Sequence, residues 1–244
     1  MKNKYRCIAC RAALTLSCLS PLSGVWAQSG FDVPGLQTGM KVEQAQAALA
    51  QIWPGMQKEA VNAHDGAPLG FRYTHTSAAD PAGRSGKVQV VLGVARDGRI
   101  WFVGQARHFD AGERPDYATL QKFLLDRFGP PSRPGPARLP TKYLRIKYGM
   151  LWSFDVQGRP VPAAGYALEK DPCFSAYGGD NYAQIAAAPI IVPRTTGVRC
   201  GTAIAASVGF DAETQRVAAF SLTVVDATLF YGDSVSGAGS RGNP

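Results

Sequence analysis

Histidine is scarce, with three residues in 244, at His64, His75 and His108, and this removes most routes to metal or acid–base chemistry. A metal site needs three or four clustered ligands, and no HExxH-like spacing gathers them here. The chain also lacks a GxSxG serine elbow, a Walker loop and a dinucleotide fingerprint, so hydrolases and phosphate-cofactor enzymes built on those motifs are set aside. No apolar run approaches the roughly 20 residues of a spanning helix. Neither metal nor cofactor is expected. Cysteine is thin as well: of five, Cys7, Cys10 and Cys18 fall in the first 27 residues, leaving Cys173 and Cys200.

What is present begins with a leader. Lys2, Lys4, Arg6 and Arg11 precede an apolar run from about Ala12 to Leu22, and small residues follow at Gly24 and Ala27. That pattern reads as a secretory signal peptide over residues 1–27, cut after Ala27, and it predicts a periplasmic or secreted protein. A lipid anchor on Cys18 is the less favoured alternative, because Thr15-Leu16-Ser17 fits an acylation signal poorly. Without the leader's four basic residues the formal charge falls from +8 to +4. A balance that mild, with no concentrated basic stripe, argues against nucleic acid. An even pair of cysteines in an oxidising compartment reads as a disulfide between Cys173 and Cys200, stabilising by roughly 3 kcal/mol in the chain-entropy account.

Periodicity predicts two similar halves, residues 28–112 and 113–230, each a helix packed on a three-stranded antiparallel sheet, together an α+β protein whose sheets form one continuous sheet or two. In the first, Val42, Ala45, Leu49 and Ile52 recur at helical spacing before Pro54-Gly55. A strand over 71–76 follows, then the hairpin KVQVVLGVARDGRIWFVGQARHF with Asp97-Gly98 as a two-residue turn. In the second, Tyr117, Leu120, Leu124 and Phe128 mark a helix ending at Gly129. The strand YLRIKYGMLWSFD, an insertion over 156–199 and a hairpin around DAETQ complete it. Residues 231–244 have too little apolar content to fold and are expected to be disordered.

The opening GLQTGMKVEQAQAAL followed by strands, together with LQKFLLDRFGPPSR and the late Cys200-Gly201 before a hairpin, resembles tandem helix-plus-sheet modules of exported Gram-negative proteins. It is similar to the outer-membrane lipoprotein SmpA/OmlA family and to β-lactamase inhibitor proteins. The resemblance implies helices packed on an antiparallel sheet and a binding or assembly role, and it assigns no functional residue.

Candidate contact residues come from the strand pattern. In the first hairpin a two-residue turn sets Val94 opposite Trp101, Leu92 opposite Val103, Val90 opposite Gln105 and Val88 opposite Arg107, all on one face. If Ile100 and Phe102 face the core, then Trp101, Gln105 and Arg107 look outward as a binding patch; the alternative packs Trp101 under a loop or against the other half. Tyr177 and Tyr182 flank Gly178-Gly179 and Asp180-Asn181 in the insertion, a contact-making composition, with calcium on Asp171, Asp180 and Asn181 a remote alternative. Arg127, Arg133, Arg138, Lys142, Arg145 and Lys147, interleaved with Tyr143 and Tyr148, form a basic stretch whose plain reading is a solvated face.

Two functions follow as expectations. One is an exported, non-enzymatic protein that binds another protein or an envelope component through the exposed sheet patch and the disulfide-stapled loop. The other is an envelope hydrolase using His75 or His108 with Asp110. Neither names a partner or an oligomeric state.

Overall fold

The structure, a computed structural model, describes residues 35–62, 66–76, 87–132, 147–162, 175–176, 191–192, 200–211 and 213–238. They form helix α1 (Val42–Ile52), strands β1 (Gln57–Asn62), β2 (Pro68–Thr76), β3 (Lys87–Val94) and β4 (Ile100–His108), then helix α2 (Tyr117–Phe128). Strand β5 (Lys147–Phe154), the short pair β6 (Ser175–Ala176) and β7 (Ile191–Val192), strands β8 (Thr202–Phe210) and β9 (Val217–Asp226), and helix α3 (Ala227–Ala238) follow. The seven long strands make one antiparallel sheet in the order β1-β2-β3-β4-β9-β8-β5. The protein is therefore α+β: among the described residues its seven long strands form one continuous sheet, and β6 and β7 pair as a separate two-stranded ribbon.

Both early helices cover the same face. Helix α1 buries Val42, Ala45 and Leu49 on its apolar stripe, and these last two meet Tyr73, Val88, Val90, Leu92 and Ile100. Its first turn is tied to the β3–β4 loop: the Val42 N–H donates to Gly98 O at 3.0 Å and Lys41 Nζ to Asp97 O at 2.6 Å. The Gln44 side chain accepts from the Lys41 N–H, the arm of a capping box that reaches back to the N-cap backbone. Helix α2 starts at Asp116, whose carboxylate accepts from Thr119 N at 2.8 Å, and stops at Gly129, which takes φ 72° that a side chain would resist. Its Leu120 and Leu124 pack on Trp152, Ile204, Val208, Phe220 and Leu222.

Four sequence expectations need correction. The first half has four strands, because Gln57–Asn62 adds an outer strand beside β2; its polar composition and exposed side chains hid it from a pattern search. The β3–β4 loop has three residues, not two. Ala95 N–H donates to Arg99 O and Gly98 N–H to Ala95 O, while Gly98 closes the turn at φ 80°. A bulge then follows: Gly93 pairs with Phe102 but Val94 with Ile100, so Trp101 is the extra residue. Finally, the disordered tail expected from 231 is overturned as far as Ala238, since α3 runs from Ala227 to Ala238. Its Leu229, Phe230 and Tyr231 pack against the core around Trp101. Most of the expected insertion 156–199 lies outside the described residues.

Candidate functional site

The bulge separates the three candidates of the first hairpin. Gln105 opposes Val90 and Arg107 opposes Val88, as the register predicts, and across β4 they oppose Leu222 and Phe220 of β9. This face, however, lies under the helices. Trp101 is carried by the bulge to the opposite face, where it is 2% exposed. There its indole lies over Gly93, so close that a Cβ on the glycine would come within 2.7 Å of the ring, and Phe230 of α3 packs against it at a tilt, 4.7 Å between centroids. The expected outward patch of Trp101, Gln105 and Arg107 is thus corrected: a side chain already covered on both sides is core, not contact surface.

Gln105 and Arg107 instead sit between the two helix-backed cores. Val103, Gln105, Leu222 and Val224 floor a seam there, walled by Leu36 ahead of α1 and by Arg127 and Phe128 at the end of α2. The seam encloses a cavity of about 30 Å³, about 320 Å³ with its open side included. Since each buried water occupies roughly 10–15 Å³ on that measure, the interior suits a group of two or three heavy atoms, not a metabolite. Gln105 is 3% exposed, and its Oε1 has no hydrogen-bond partner. One row along, the Arg107 guanidinium stacks over Phe109 at 4.7 Å and lies 3.8 Å from Glu113. Burial lowers its pKa, against the opposing pull of Glu113. Arg127 stacks over Phe128 at 5.3 Å.

The histidine readings do not assemble. His75 opposes Val88 and His108 opposes Lys87, so the two side chains project from opposite faces of the sheet. Asp110 lies in the turn after β4, where its carbonyl accepts from Glu113 N. The His108 Nε2 is buried without a partner; burial lowers the imidazole pKa and Lys87, a cation, lowers it further. A carboxylate-paired general base would be raised instead. Among the described residues no group of three or more His, Cys, Asp or Glu is placed to hold a metal, and no helix is long and apolar enough to cross a membrane.

The stapled loop is corrected too. Cys200 is 1% exposed, in the core that holds Trp101, and Cys173 lies outside the described residues. Cys200 is the single cysteine among those residues, which hold no Sγ–Sγ pair at disulfide distance, and a stapled, partner-presenting loop is dropped from the functional reading. Tyr177, Tyr182, the calcium candidates and the N-terminal leader also lie outside them.

Sequence reasoning overlooked Leu36 and Phe128 as seam walls, and saw Arg127 only as part of a basic stretch. The signal available was the Arg127-Phe128 pair in the last turn of an amphipathic helix. Compared with protein-family models, curated proteins and solved structures, the chain matches none of them.

Proposed function

We propose that this protein recognises a partner polypeptide through the seam between α1 and α2, taking the end of one hydrogen-bond-donating side chain onto Gln105. The observation that carries this reading is the unpartnered Gln105 Oε1, 97% buried and facing a cavity too small for a metabolite. A buried acceptor without a donor is an unfavourable arrangement that an incoming donor relieves. Arg107 and Arg127 favour an acidic neighbour on the incoming segment.

The seam falls where two halves would meet. Strands β2-β3-β4 and β5-β8-β9 run inward from opposite sides to the β4–β9 joint, each set backed by its own helix. We take them as a fused pair of similar modules, a layout that accords with the resemblance to SmpA/OmlA and β-lactamase inhibitor proteins, and we take residues 1–27 as the leader that exports them.

The test is in-cell cross-linking followed by mass spectrometry, with wild type, Arg127→Glu at the rim of the seam, and Lys122→Glu on the exposed side of α2. A discrete partner held by wild type and Lys122→Glu but lost with Arg127→Glu supports the reading. A partner retained by Arg127→Glu, or none in any form, sinks it.

A further inference from the structure

Among the described residues the opposite face of the sheet carries three more buried polar atoms without partners: Arg72 Nε on β2, Gln89 Oε1 on β3 and His108 Nε2 on β4. Native interiors leave few such atoms, and each calls for water, an ion or a ligand. These three lie on adjacent strands and share a face. Gln89 is central, opposite Thr74 and Ala106, with Arg72 and His108 at its two diagonals. Adjacent strands are about 4.8 Å apart and alternate residues about 6.8 Å, so each diagonal is roughly 8 Å between Cα atoms. Lys87 sits beside Gln89 on the same strand and opposes His108. Helix α3 packs at the other end of this face, around Trp101.

We propose that this cluster is a binding site for a small oxyanion of the phosphate or sulfate class, centred on Gln89. Its charges favour an anion: Arg72 and Lys87 are cationic, and Glu59 on β1 takes Arg72 Nη1 at 2.6 Å, leaving the Nε–H unused. The Gln89 amide agrees with this once its orientation is considered. As placed, Nε2 reaches Thr74 Oγ1 only at 3.5 Å. Turning the amide over lets the Thr74 hydroxyl donate to the oxygen and points the NH2 into the site; oxygen and nitrogen of an amide are assigned by such networks. Three donors then share one end of the cluster: the Gln89 NH2, the His108 ring N–H and the Lys87 ammonium, while Arg72, on the far diagonal and about 16 Å from His108 between Cα atoms, adds positive charge at the other side of Gln89. A tetrahedral oxyanion offers acceptors to all three donors, whereas a cation meets two like charges. His108 supplies the internal reporter. Its pKa is lowered by burial and by Lys87, and a bound anion reverses the second cause directly.

The experiment titrates the purified protein with inorganic phosphate, then sulfate, at ionic strength held constant with chloride. It follows the His108 imidazole by NMR and the thermal midpoint in parallel. Saturable movement of the His108 signals, a raised His108 pKa and a raised midpoint are expected. Lys87→Ala, at an exposed position, and Gln89→Glu, which keeps the side-chain size, should each weaken the response about tenfold or more. The Arg127→Glu seam variant should bind as wild type does, so failure of this site and failure of the seam are read separately. His108 signals that ignore phosphate, or that respond equally in wild type, Lys87→Ala and Gln89→Glu, overturn the proposal.

Discussion

At the scale of single residues, the position of Trp101 depends on a glycine. A Cβ at Gly93 would lie 2.7 Å from Trp101 Cε2 and from the Phe102 Cβ, so Gly93→Ala should destabilise by about 1–3 kcal/mol, the usual cost of overpacking. Gly149→Ala, whose Cβ would meet only Ala206 O at 3.7 Å, should stay within about 0.5 kcal/mol of wild type. Urea unfolding of both variants checks the contrast, and equal losses would mean the ring can shift aside. His108 gives a pH-dependence with a definite sign. Its folded pKa is depressed below 6.5, so between that value and pH 6.5 the unfolded chain holds a proton the folded chain does not. Stability therefore falls as pH drops through 6.5 and levels off once the folded imidazole is protonated. His108→Gln should flatten that part of the urea-midpoint profile; an unchanged slope would assign it elsewhere. The sequence placed Gln105 and Arg107 on one face because period-two alternation is local. It misplaced Trp101 because a bulge inserts one residue and reverses the parity of what precedes it, and no residue type in Arg99–Phe102 announces where.

At the scale of elements, the two helices and the paired hairpins were legible because each carries both a period and a stop: Gly129 after α2, Asp97-Gly98 between β3 and β4. Strand β1 was not, since an edge strand with both faces wet has no apolar alternation to read. Helix α3 was missed for the opposite reason. Leu229, Phe230 and Tyr231 are apolar, but their meaning depends on Trp101, more than a hundred residues away in the chain. Deleting residues 227–244 should uncover the indole, red-shifting tryptophan emission and lowering the urea midpoint. Phe230→Ala should reproduce part of the loss, the ring contact alone contributing roughly 0.5–1.5 kcal/mol. Emission unchanged by the deletion would show that α3 does not seal this face. Capping offers a milder test: Asp116→Ala removes the acceptor for the Thr119 N–H, so it should lower the thermal midpoint and make it less sensitive to acid, the carboxylate pKa being lowered by that same bond.

At the scale of the whole molecule, what the sequence could not show was which face of the sheet would be covered. Alternation says that two faces differ; it does not say which one receives the helices, and the short candidate patch around Gln105 was assigned to water when it floors an interior seam. On the β8–β9 hairpin the small residues Ala203, Ala219 and Thr223 are buried as well. The β4–β9 joint has one more consequence, in time and not in space. It pairs Phe102 with Val225 and His108 with Ala219, the most distant partners of any neighbouring strands in the sheet, whereas the β3–β4 and β8–β9 hairpins close locally. Long-range pairings are slow to form because chain entropy is lost before contacts accumulate. The two hairpins should therefore form early and the joint last. Val224→Ala, at the joint, should speed unfolding while leaving the refolding rate nearly unchanged, as stopped-flow measurements would record. The seam that Gln105 floors would then be the last part of the molecule to come into being.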